Sequence, residues 1–177
     1  MEGSGSVTSR MHAQVHQWEE AGDQRAIFLS CYSIMTGNML EALTSGRFQD
    51  QLWVDRLLHR FADYYYVALD AYDKDPASAP PVWTLAHNAT ADPQVTPLQK
   101  LLLGVNAHIN YDLVLTLVDL LRPDWANYAE PQKTSRYADH CQINDIIGQT
   151  IDNVQDQILE PAMPVMAWID TILGPVD

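Results

Sequence analysis

The chain has 177 residues, 47% of them hydrophobic and 19% charged, with 23 acidic against 10 basic side chains and a formal net charge of −13. Its length is that of one domain with enough apolar content to bury a core, and its composition is far from that of disordered chains. Because Lys and Arg are few and scattered, the field disfavours a phosphate backbone or an anionic lipid surface, and it favours neutral or cationic partners.

Residues 1–6 (Met-Glu-Gly-Ser-Gly-Ser) read as a disordered lead, and residues 7–177 as a single helical domain. Apolar residues recur at helical spacing and the breaks fall at Pro and Gly clusters, which predicts about seven helices. The first spans about 7–21 and the second about 24–45, with Gly22-Asp23 between them as stop and N-cap. The third, about 51–74, is capped by Asp50 and ended by Pro76 and Pro80-Pro81; a short fourth covers about 82–90. The fifth runs from about 97 to 121 and is closed by Pro123, and a polar loop over 124–132 leads to a sixth at about 134–159. Pro161 and Pro164 open a last short helix that ends at Gly174-Pro175. The short connections predict an irregular all-α bundle, and the fifth helix, apolar around nearly its whole circumference, is expected as its buried centre.

Cys31 and Cys141 lie in apolar helical patterns without a CxxC partner, so both are expected as free thiols. No uninterrupted apolar run reaches the roughly 18 residues of a membrane span, since Thr116 and Asp119 interrupt Leu113–Leu121. The first six residues lack the basic start and apolar core of a signal peptide, so a cytoplasmic location is expected. The sequon Asn88-Ala89-Thr90 then has no consequence.

Four polar residues interrupt the fifth helix, and at about 100° per residue they fall into two pairs: Asn106 with Asn110 on one side, His108 with Asp112 on the other. Gly104, one turn before His108, leaves room either for a ligand or for a close helix. On the sixth helix His140 falls in line with the stripe Ile143, Ile147, Ile151, Val154 and Ile158; Asn144 borders it, and Gly148 repeats the small-residue gap. Asp145 and Asp156 lie farther round and are expected in solvent. On the third helix His59 and Asp63 also stand four apart but point, with Arg56 and Arg60, away from the stripe Val54, Leu57, Leu58, Phe61, Tyr65, Ala68 and Tyr72. On the second, Phe28, Tyr32, Met35, Met39 and Leu43 face the core, with Thr36 at the edge.

The run Leu101-Leu102-Leu103-Gly104-Val105-Asn106-Ala107-His108-Ile109-Asn110-Tyr111-Asp112-Leu113 resembles a large, mainly bacterial family known only as a domain of unknown function. Ile143-Asn144-Asp145 and Asp152-Asn153-Val154-Gln155-Asp156 resemble its second recurring segment. The resemblance implies that His108, Asn110, Asp112, Asn144 and Asp156 are motif positions, and it implies no reaction or cofactor.

Polar groups buried unpaired cost about 1 to 3 kcal/mol each, so those on the apolar faces need one another, water or a ligand. The leading expectation is therefore a small-molecule enzyme or binding site inside the bundle. In one version His108, Asp112 and His140 hold a divalent metal that activates water for hydrolysis. In a metal-free version Asp112 orients His108 as general acid or base, with Asn144 and Tyr32 holding a substrate oxygen. The alternative is a non-catalytic interaction or homo-oligomerisation module in which His108–Asp112 and His140–Asn144 merely fix helix register, and Trp18, Trp53, Trp125 and Trp168 anchor a partner.

Overall fold

The computed structural model describes the backbone of residues 4–154 and the side chains of residues 7–150. Among these residues six helices follow one another: α1 (Ser4–Ala21), α2 (Ala26–Thr44), α3 (Gln51–Lys74), α4 (Pro81–Ala91), α5 (Pro97–Leu121) and α6 (Glu130–Val154). Among the described residues there is no strand. The chain is an all-α single domain. The expected seventh helix, Trp168 and Asp156 lie outside the described residues.

Local chemistry explains most of the ends. Gly22 and Gly46, at φ +67° and +71°, close α1 and α2 in the left-handed conformation that a side chain resists. Asp50 caps α3 by accepting from Trp53 N–H at 2.9 Å, and Thr96 with Gln99 forms a reciprocal capping box at the start of α5. Two starts differ from expectation. Helix α1 already includes Ser4–Ser6, and α6 begins at Glu130 because Pro131 suits a first turn and the Gln132 side chain accepts from Ala129 N–H at 2.9 Å.

The centre of the bundle is α2, not α5. Helix α2 packs against α1, α3, α5 and α6 and buries Ile27, Phe28, Leu29, Tyr32, Met39 and Leu43. Helix α5 buries a stripe comprising Leu101, Gly104, His108, Asp112 and Thr116, and leaves Leu102, Ile109, Val114 and Val118 exposed on its other face. Apolar residues all round had suggested a surrounded helix, but among the described residues only one side has neighbours. As continuous helices, Ala26–Thr44 and Pro97–Leu121 are both long and apolar enough to cross a membrane by length and composition, contrary to expectation from the interrupted runs. Burial against the other helices accounts for 56% of the first window and 33% of the second.

Apolar side chains gather in two clusters along α2. One surrounds Met11, Trp18, Phe28, Leu29, Tyr65, Trp83 and Leu101, and the other surrounds Met39, Leu43, Phe48, Trp53, Leu57 and Ile146. Trp18 and Trp53 are thus core residues, not surface anchors; Trp125 is exposed. On α3 the charged face is confirmed, with Arg56, Arg60 and Asp63 exposed, Arg60 paired with Asp119 of α5 and His59 set 3.7 Å from Asp55.

Candidate functional site: a buried histidine–aspartate pair beside an apolar cavity

Midway along α5 the helix widens into a single π turn, His108–Asp112, where Leu113 N–H donates to the carbonyl of His108. Such turns interrupt the regular ladder and are frequent at functional sites. The Asp112 carbonyl accepts from Thr116 Oγ1 at 2.8 Å. Both side chains of the turn's ends point inward: His108 is 3% exposed and Asp112 is 0% exposed.

His108 Nδ1 lies 2.9 Å from Asp112 Oδ2. The carboxylate is held from its other side by Trp83 of α4, whose Nε1–H donates to Oδ1 at 3.0 Å and Oδ2 at 3.1 Å. Around the imidazole, Phe61 stacks face to face at 3.6 Å and 6°, and Tyr32 meets it edge-on at 4.2 Å. Since an ionised carboxylate only accepts, Nδ1 carries the proton and Nε2 keeps its lone pair. Nε2 is sealed from water and has no hydrogen-bond partner among the described residues.

Burial lowers the pKa of His108 and outweighs the hydrogen bond and charge of Asp112, which raise it. The ring is therefore neutral at pH 7, an acceptor and base at Nε2 rather than an acid. Burial, reinforced by the Asp112 charge, pushes the Tyr32 hydroxyl well above its ordinary range, so Tyr32 stays neutral. Burial alone raises the Cys31 thiol to about 11, which leaves it a poor nucleophile.

His108 and Tyr32 line a cavity of about 320 Å³ at the junction of the two core clusters, walled by α2, α3, α5 and α6. At about 30 Å³ per water it has room for roughly ten waters or a ligand of similar bulk. Its wall is chiefly aliphatic and aromatic; Tyr32, Thr36, His108, His140 and Asn144 are its polar contributors. That is the make-up of a small-molecule site: mostly apolar, with a few polar groups to set orientation.

Every expected site residue is placed. His108, Tyr32, His140 and Asn144 share the cavity; Asp112 stands apart from its wall and touches His108 and Trp83 instead. His140 Nε2 faces Asn144 Nδ2 at 3.4 Å. The expected three-ligand metal group is not formed, because among the described residues no three His, Cys, Asp or Glu side chains come together as an ion would require. The Asp112 oxygens are committed to Nδ1 and to the indole, which makes this carboxylate the orienting partner of a histidine.

The ambiguity at Gly104 is settled by packing. A Cβ there would stand 2.6 Å from Phe28 Cγ, so the glycine admits α2 rather than a ligand. Gly148 is exposed with nothing within 4 Å, so it does not repeat the role. Asn106 and Asn110 bond to each other at 2.8 Å on the exposed face, as the helical wheel implied. Two buried groups carried no sequence signal of their role. Trp83 lay in a short helix without a recognisable motif, and Asp139, 1% exposed, accepts from the backbone N–H groups of Gln49 and Asp50 at 2.7 and 2.9 Å. The expected stripe omitted Ile146, which is buried in the second cluster, while its members Ile143 and Ile147 pack half-buried against that cluster.

Fold and site together define an all-α domain with an orienting Asp–His pair against an apolar cavity. The chain belongs to the family of unknown function DUF5995, whose model matches residues 5–177. No curated protein and no solved structure matches it.

Proposed function

We propose that the protein takes a small, largely apolar molecule into the cavity between α2, α3, α5 and α6, and that His108 Nε2 accepts a proton or hydrogen bond from a polar group of that molecule. One observation carries this reading: of the two ring nitrogens of His108, a residue of the cavity wall, one is held by Asp112, and the other is covered and has no partner among the described residues, so a ligand reaches it once a side chain of the wall yields. An unmet acceptor in such surroundings costs about 1 to 3 kcal/mol, which a ligand hydroxyl or N–H would recover. Met35 and Met39, flexible side chains in the wall, are able to give way as the ligand enters. Where the ligand's proton is acidic enough, the same geometry serves as a general base: Nε2 takes the proton and the Asp112 carboxylate stabilises the resulting imidazolium. Tyr32 and Asn144, which line the same cavity, would hold an oxygen of the substrate.

The test compares 1-naphthol with naphthalene, read by ligand-induced rise in Tm and by protein amide shifts. Wild-type protein should bind 1-naphthol about tenfold more tightly than naphthalene, as one recovered hydrogen bond implies. His108→Phe should abolish that preference while still admitting naphthalene. Neither compound binding, or the preference surviving in His108→Phe, would overturn the reading.

The exposed apolar face of α5, Leu102, Ile109, Val114 and Val118, favours a second reading as an interaction or oligomerisation module. Sedimentation tests it: a monomer at all concentrations, unaffected by Val114→Lys, removes self-association.

A further inference from the structure

Trp83 connects the Asp–His pair to a second region. Its ring stacks on His87 at 5.2 Å and 24°, and His87 lines an open cleft of about 780 Å³ formed by the α1–α2 turn, the C-terminal end of α3, α4 and the first turn of α5. Four charged side chains line this cleft: Asp23, Arg25, Asp73 and Lys100.

Three of them are mutually satisfied. Arg25 pairs with Asp23 through Nη2 at 2.6 Å and with Asp73 through Nη1 at 2.6 Å. Lys100 is different. It is 7% exposed, and among the described residues its ammonium has neither an ion pair nor a hydrogen bond. Its Nζ is nevertheless not among the partnerless polar atoms sealed from solvent, so the stem is buried while the charge still meets the cleft. Among the described residues no carboxylate bonds this ammonium, because Asp23 and Asp73 are committed to Arg25. Burial pushes the pKa of His87 down to about 4, helped by the Arg25 charge, so His87 adds no second positive charge.

We propose that this cleft is a binding site for a small monocarboxylate, with Lys100 as its charge partner. The four charges cancel overall, but among the described residues Lys100 is the one whose charge no side chain bonds, so a single carboxylate can meet it directly, and Tyr72, Ala91 and Pro93 offer apolar surface for a short hydrophobic body beside it. The overall charge of −13 favours neutral or cationic partners at long range. The recognition here is local and operates at contact distance: the field of carboxylates outside the cleft is screened, and Asp23 and Asp73 within it are held by Arg25. The site is separate from the His108 cavity and does not depend on its function.

The probe is benzoate, with benzamide as its uncharged counterpart and sodium chloride holding ionic strength constant; binding is followed by amide chemical shifts of the labelled full chain. Benzoate should saturate shifts at Gly22–Arg25 and Lys100 and bind at least tenfold more tightly than benzamide. Lys100→Met should remove that advantage, Lys100→Arg should keep it, and His108→Phe should leave it unchanged. Equal binding of benzoate and benzamide to the wild type would overturn the proposal even if Lys100→Met failed to fold. So would an advantage that survives in Lys100→Met, or one whose shifts map to the His108 cavity.

Discussion

Trp83 donates from Nε1 to both oxygens of Asp112, and through that carboxylate it fixes the imidazole of His108. The indole lies on α4 and the pair on α5, so the orientation of the candidate base depends on how two helices pack. Replacing Trp83 with Phe leaves a fully buried carboxylate without one of its donors. We expect a loss of about 2 to 3 kcal/mol in urea-induced unfolding, as for a hydrogen bond to a buried charge. Adding Asp112→Asn should cost less in the Trp83→Phe background than in the wild type, because the two residues share one interaction. Strictly additive effects would show that the indole does not hold Asp112.

The two helix glycines should respond in opposite directions. Gly104→Ala places a methyl 2.6 Å from Phe28 Cγ and 2.9 Å from Phe28 Cβ, atoms too near the backbone to swing away. Overpacking of this kind costs about 1 to 3 kcal/mol and exceeds the gain in helix propensity. Gly148→Ala meets nothing within 4 Å on an exposed face and should stabilise by up to about 1 kcal/mol. Thermal denaturation of the two variants side by side gives the signs.

Asp139 ties α6 to the loop before α3 by accepting two backbone N–H groups while fully buried. Asp139→Ala orphans both donors and should lower stability by about 2 to 4 kcal/mol. The same change should speed amide exchange at Gln49 and Asp50 above all other sites. Uniform acceleration across the chain would mean that the contact has no local role.

Acid should weaken the fold before the carboxylates titrate. His87 is held to about 4 in the folded chain, chiefly by burial, against an ordinary 6.5, and burial lowers His108 in the same direction. Between pH 6.5 and 4 the unfolded chain takes up protons that the folded chain refuses. Stability is therefore complete above pH 6.5 and falls as the pH drops through this window. His87 alone accounts for about 3 kcal/mol at 1.36 kcal/mol per pH unit. His87→Leu should flatten the stability curve over this range, as measured by urea midpoints at successive pH values; an unchanged slope would show that the buried imidazole titrates normally.

Helical spacing, the Asp50 cap and the Pro and Gly breaks made the helices legible in the sequence, because those signals act through the local backbone. The same local geometry separated Asn106–Asn110 from His108–Asp112 and put the latter inside. It could not show that, among the described residues, α5 has neighbours on only one side, since a stripe of Leu and Val is equally apolar against protein or solvent. Nor could it say that Gly104 receives Phe28, that Asp112 answers to Trp83, or that His140 stands across a cavity from His108 without joining it at an ion. Those facts depend on the distance between helices far apart in the chain. The order of residues decides which way a side chain leaves its own helix, whereas only the packing of helices against one another decides what it meets there.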